Sequence, residues 1–241
     1  MDSHADHEST SFGQAAATYE RGRPPYPEAA LDWLLPTGQP NVLDLGAGTG
    51  KLTRQLHARR LPVTAVDPAD GMLSELRRVL PEIPAHHGSA EHIPLPDRAV
   101  DVVVVAQAWH WVDPHAAVPE IARVLAPGGR LGLVWNLRDE TEDWVRSLGQ
   151  IIRAPEQNRP HVIGPPFGPV ETHSVPWTHR LRSETLLDLV ASRSAVILMP
   201  DDERRSLLDQ VRDLLRTHPA LAGRDTVELP YVTFCARADL P

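Results

Sequence analysis

Four consecutive valines, Val102 to Val105, sit between Asp101 and Ala106. An uninterrupted β-branched run of this length reads as a strand covered on both faces, which belongs inside a parallel sheet. Other short apolar runs flank it at intervals: Val42-Leu43-Asp44-Leu45, Pro62 to Val66, a short third run ending near Gly88, and Leu131 to Trp135. Between them lie amphipathic stretches: Leu52 with Leu56, then Met72, Leu73, Leu76 and Leu80, then Ala117, Ile121, Val124 and Leu125. Asp70 is placed to cap the second of these, and Asp113-Pro114 gives the third an N-cap followed by proline at the first helical position. Strand and helix thus alternate over about residues 40 to 155, which predicts a parallel sheet, right-handed crossovers and helices on both faces. Before this region, Ala30, Leu31, Leu34 and Leu35 mark a helix. After it, Asp139 and Glu142 have capping-box spacing for a helix running to about Arg153. Pro155, Pro160, Pro165, Pro166, Pro169 and Pro176 then imply a stiff, irregular excursion. Residues 183–192 and 202–217 read as helices, and 226–237 as a final strand completing the sheet edge.

Composition narrows the function classes. The 241 residues are 41% hydrophobic and 23% charged, ordinary for a folded domain. A net charge of −8 implies no broad basic face for nucleic acid, and the pairs Arg59-Arg60, Arg77-Arg78 and Arg204-Arg205 are scattered. Cys235 is the single cysteine, so no intrachain disulfide or cysteine-based zinc site forms, and a reducing, cytoplasmic compartment is expected. No run of 18 apolar residues is present, so no membrane association is expected. Residues 1–11 are polar and acidic and read as a mobile tail, with a single domain over 12–241. The histidines, including His4, His7, His86 and His87, show no metal-ligand spacing, and no metal is expected.

The chemistry concentrates after the first strand, in Gly46-Ala47-Gly48-Thr49-Gly50. Alternate glycines let the backbone turn sharply and approach a ligand closely; a plain turn needs only one. The dinucleotide fingerprint G-x-G-x-x-G is only half met, because Lys51 holds its sixth position. This disfavours a nicotinamide-dependent oxidoreductase. Asp67 ends the second strand, where a carboxylate can reach ribose hydroxyls or cap the turn.

These segments resemble the class I S-adenosylmethionine-dependent methyltransferases. The resemblance runs through Val42 to Gly50, Ala65-Val66-Asp67-Pro68, Gly88-Ser89-Ala90-Glu91 with Ile93-Pro94, Gln107-Ala108-Trp109-His110-Trp111, and Arg123 to Gly129. The Q-x-x-H-W segment, together with Tyr19, Arg23, Pro24 and Pro27, is similar to a branch acting on small molecules. It covers about residues 12 to 137. It implies a doubly wound, Rossmann-like sheet of seven strands, mostly parallel, with the last antiparallel. S-adenosylmethionine is the implied cofactor, S-adenosylhomocysteine the product, and a small molecule the methyl acceptor.

Residue by residue, the resemblance places Gly46, Ala47 and Gly48 at the methionine part and Asp44 at its ammonium end. Asp67 would hold the ribose, with Pro68 and Met72 against the adenine and Ser89, Ala90 and Glu91 at its edge. Many relatives carry Asp where Ser89 stands. Gln107, Ala108 and Trp109 would line the floor below the sulfonium. Tyr19 and Arg23 would close over it within a lid of residues 12–35, and the proline-rich insertion 155–177 would help roof the acceptor with Phe12, Tyr26, Phe167 and Trp177. His110 is the candidate general base, with packing as the other reading. Trp109 and Trp111 could face an apolar acceptor or serve as core. Arg138 could meet a substrate carboxylate, although an exposed loop charge fits its position better. A non-catalytic cofactor-binding partner protein is the alternative function. Methylation of nucleic acid is disfavoured by the acidic balance and by the lack of an Asn/Asp-Pro-Pro-aromatic tetrapeptide. Either a monomer or a homodimer is compatible with the sequence.

Overall fold

The computed structural model describes residues 24–153, 163–197 and 199–241. The tail 1–11, Phe12, Tyr19, Arg23 and the first part of the 155–177 insertion lie outside the described residues.

The alternation read from the sequence is present. Helix α1 (Glu28–Leu34) precedes β1 (Val42–Leu45), α2 (Lys51–Ala58), β2 (Val63–Asp67), α3 (Asp70–Val79) and β3 (Ala85–His87). β4 (Val100–Ala106) leads through a 3-10 turn, Trp109–Trp111, into α4 (Pro114–Val124) and β5 (Leu125–Arg138). Then come α5 (Asp143–Ile151), β6 (Glu171–Arg182), α6 (Ser183–Ala191), α7 (Ser194–Ile197), α8 (Asp201–Thr217) and β7 (Thr226–Asp239).

The strands form one seven-stranded sheet in the order β3-β2-β1-β4-β5-β7-β6, mostly parallel with one antiparallel strand. β1 pairs in parallel with β2 on one side and β4 on the other, Asp44 lying level with Ala65 and Val104. Strand order reverses between β1 and β4. In sheets of this kind ligands bind beyond the strands' carboxyl ends at such a switch point. The valine run is buried throughout, as expected of a strand covered on both faces.

Four local expectations are corrected. The residues expected to be irregular up to Pro176 include the start of β6, a strand of 12 residues. β6 occupies the sheet edge and β7 lies inside it, so the final strand does not complete the edge. Asp70 does not cap α3: Ala69 is its N-cap, and Asp67 Oδ1 accepts the Ala69 N–H at 2.8 Å. Asp139 does not form a capping box with Glu142, because its carboxylate accepts the Thr141 N–H and the helix starts at Asp143. The expected cap on α4 is present, with the Asp113 carboxylate accepting the His115 N–H at 3.0 Å.

Contacts divide the described chain into two units. The larger, 25–136 with 163–175 and 233–241, has a core that includes Leu31, Leu34, Leu52, Leu56, Leu76, Val102, Val104 and Cys235. Burial pushes the Cys235 thiol up to about 12. Tyr26 and Phe167, two aromatics expected to roof an acceptor, are buried in this unit. The smaller unit, 137–153 with 176–197 and 199–232, packs Trp144, Val145 and Leu148 of α5 with Leu186 of α6, Val211 of α8, and Leu229 and Tyr231 of β7. Trp177, a third expected roof residue, stacks on Tyr231 at 5.3 Å between ring centroids. Arg138 is buried in this unit, 3.7 Å from Glu140, and is not an exposed loop charge. No helix among the described residues is long and apolar enough to cross a membrane.

Candidate functional site

The glycine turn follows β1 at the switch point. Gly46, Gly48 and Gly50 have φ of +75°, +57° and +88°, which side-chain-bearing residues rarely adopt. The glycines do different work. A Cβ on Gly46 would come 2.9 Å from the Ala108 Cβ, so Gly46 admits the turn after β4. Among the described residues, a Cβ on Gly48 would meet nothing within 4 Å, so Gly48 leaves open space there. The first amides of this turn are engaged by the neighbouring strand. Gly46 and Ala47 both donate to the Val66 carbonyl, at 2.8 and 3.1 Å, and Gly48 donates to Asp67 Oδ2 at 2.8 Å. What the turn offers is room, backed by two carboxylates.

Those carboxylates are Asp44 and Asp67. Asp44 is fully buried on β1, and its Oδ2 accepts the Thr53 hydroxyl at 2.6 Å from α2. Its Oδ1 is buried and has no hydrogen-bond partner among the described residues. Burial raises the Asp44 carboxyl to about 7; the Thr53 bond opposes the rise and the neighbouring Asp67 adds to it. Asp67 is 7% exposed and is also raised, first by burial, against the Ala69 and Gly48 N–H bonds and the nearby His87. Asp67 therefore does cap its turn, one oxygen for each of two amides, and each oxygen keeps a second lone pair for a ligand. Two desolvated acids beside an open glycine turn suit a cationic ligand with hydroxyls, since a positive charge offsets the cost of ionising them. S-adenosylmethionine, with its ammonium, sulfonium and ribose diol, fits this donor and acceptor set.

Pro68 is exposed and Met72 half-buried at the start of α3, both available to an adenine. Ser89 bridges to His92 through paired main-chain bonds and Ala90 is buried. Glu91 is drawn toward the fold, its carboxylate accepting the Asp113 N–H at 3.0 Å. From the same motif region, Arg123 grips the Ile93 and Leu95 carbonyls at 3.0 and 2.8 Å and so fastens the loop before β4.

After β4, Gln107 has φ +57° and Ala108 lies against Gly46. Trp109 is buried, which assigns it to the core. His110 is exposed, its ring 4.9 Å from that of Trp111, and Trp111 is 77% exposed. Sequence reasoning missed Thr53, Asn136 and Thr233. Asn136, 7% exposed at the end of β5, accepts the Thr233 hydroxyl and donates to the Pro25 carbonyl. Nothing local marks Asn136 or Thr233, because the partners of Asn136 are 97 and 111 positions away. Among the described residues, no group of three or more His, Cys, Asp and Glu could hold a metal ion.

Comparison with known proteins agrees with this geometry. Residues 43–133 match the methyltransferase domain family. An uncharacterised methyltransferase of Mycobacterium tuberculosis is 58% identical over 234 residues, covering 96% of both chains. An uncharacterised methyltransferase-like protein of Schizosaccharomyces pombe is 34% identical over 237 residues, covering 92% of this chain and 93% of its own. A solved structure, described as a type II methyltransferase from Anaeromyxobacter dehalogenans, superposes with a TM-score of 0.68 at 28% identity, covering 90% of this chain and 97% of that one. The chain belongs to the class I methyltransferases, whose cofactor is S-adenosylmethionine.

Proposed function

We propose that this methyltransferase modifies a small-molecule acceptor by in-line transfer. The carrying observation is the exposed His110–Trp111 pair on the turn whose Ala108 packs against Gly46. It gives an acceptor an aromatic face and a proton-accepting ring on the turn that touches the glycine turn. When bound, S-adenosylmethionine supplies a methyl carbon already activated by positive sulfur. The acceptor's lone pair would take up that methyl group, and the carbon–sulfur electrons would stay on sulfur as S-adenosylhomocysteine.

Asp44 offsets the cofactor's ammonium charge and Asp67 fixes the ribose. Gln107 and Ala108 shape the floor, and Pro68, Met72, Ser89 and Ala90 border the adenine. His110 takes the proton that an O–H or N–H acceptor loses, a role worth about 10²–10⁴-fold. Holding the reactants in line supplies the larger part, about 7–11 kcal/mol in favourable cases.

The test is S-adenosylhomocysteine release measured across a panel of apolar and aromatic hydroxyl, amine and carboxylate compounds, with RNA and DNA alongside. Turnover on compounds bearing an apolar body supports the reading. Turnover confined to nucleic acid would overturn it.

A further inference from the structure

We propose that Asn136 is a positioning residue for the cofactor site, acting through Gln107 and Ala108 on the glycine turn; this rests on the methyltransferase reading of that site. An amide is a poor choice for a buried strand, where β-branched residues pack better and no polar group needs a partner. Here the hydrogen-bonding needs are met by partners from separate parts of the larger unit. Asn136 Nδ2 donates to the Pro25 carbonyl at 3.0 Å, ahead of α1. Its Oδ1 accepts the hydroxyl of Thr233, a fully buried residue of β7, at 2.6 Å. Its main-chain carbonyl accepts Gln107 Nε2 at 3.2 Å, just past β4.

Gln107 needs that support. Its φ of +57° is unfavourable for a residue with a Cβ, and such strain persists only where surrounding contacts fix it. Two bonds do so: its N–H donates to the Val134 carbonyl at 2.9 Å, and its side chain donates to Asn136. The next residue, Ala108, fills the space that a Cβ on Gly46 would need. The side-chain bonds of Asn136 hold the end of β5 so that its carbonyl faces Gln107, and Gln107 in turn sets where Ala108 meets the glycine turn. A carbonyl can only accept, so Gln107 directs its Nε2 inward, which leaves Oε1 as the acceptor it can offer a ligand.

A brace that only stabilised the fold would affect melting and leave the folded protein's affinity alone. Thr233→Val removes one hydroxyl at nearly constant shape, and Thr233→Ser restores it. Affinity for S-adenosylhomocysteine is measured by calorimetry well below each variant's melting temperature. Thr233→Val is expected to weaken binding about tenfold and Asn136→Ala by more, with Thr233→Ser within about twofold of wild type. If Asn136→Ala fails to fold, the valine–serine pair decides alone. Wild-type affinity in Thr233→Val, whatever its melting temperature, would overturn the proposal. A wild-type protein that binds no S-adenosylhomocysteine would instead overturn the reading on which the proposal rests.

Discussion

The Thr53 hydroxyl donates to Asp44 Oδ2 at 2.6 Å, joining the helix after the glycine turn to the strand before it. That bond opposes, without cancelling, the rise of Asp44 to about 7 on burial. The folded protein therefore keeps a proton that the unfolded chain releases near the ordinary carboxylate value of about 4. Stability from this group is full at low pH and is lost as pH rises through 7, by at most about 4 kcal/mol. Asp67, also raised, acts in the same direction. Urea unfolding of ligand-free protein at pH 5 and pH 8 should show the loss, and Asp44→Asn should flatten it. An unchanged slope in the variant would show that Asp44 is not the source.

Replacing Asp67 should weaken two functions at once. Its carboxylate holds the Gly48 and Ala69 amides, so Asp67→Ala costs about 1–3 kcal/mol of stability. Loss of the ribose bonds should cost a further 2–4 kcal/mol, roughly, in S-adenosylmethionine affinity. Calorimetry on the folded variant separates the two. Full affinity with a lowered melting temperature would leave Asp67 as a turn cap alone.

Two glycine substitutions should fail differently. Gly46→Ala meets both a positive φ and the Ala108 Cβ, so it should lose about 1–3 kcal/mol of stability. Gly48→Ala meets only the positive φ, about 1–2 kcal/mol, but its methyl enters the open space beside the carboxylates. It should remain folded and bind S-adenosylhomocysteine poorly. Tight binding by Gly48→Ala would place the ligand elsewhere.

His110→Ala should retain cofactor affinity while turnover of a hydroxyl or amine acceptor falls about 10²–10⁴-fold. Trp111→Ala, which removes an exposed ring, should shift stability by no more than about 0.5 kcal/mol and raise the acceptor's KM. A change confined to melting temperature would assign both rings to packing.

The parts legible in the sequence are those written in local patterns. The four valines, the glycine turn and Asp113-Pro114 each carry their geometry within a few residues, and β4, the turn after β1 and the α4 cap follow. β6 was hidden by Pro176, although Val175, Trp177, His179 and Leu181 alternate with exposed neighbours in a period of two. An edge strand tolerates proline because one side of its backbone needs no partner, and position in the sheet is not a local property. The burial of Arg138 was hidden for a related reason. Glu140 turns back beside it, lying where a side chain on Gly149 would sit.

Cys235 closes the core of the larger unit with no exposed surface and a thiol held near 12. At neutral pH almost none of it is thiolate, and reagents cannot reach it while β7 stays in the sheet. The protein thus carries its own clock for opening. The rate at which an alkylating agent marks this single sulfur reports how often the centre of the sheet comes apart, and a bound cofactor that holds the fold closed should slow it.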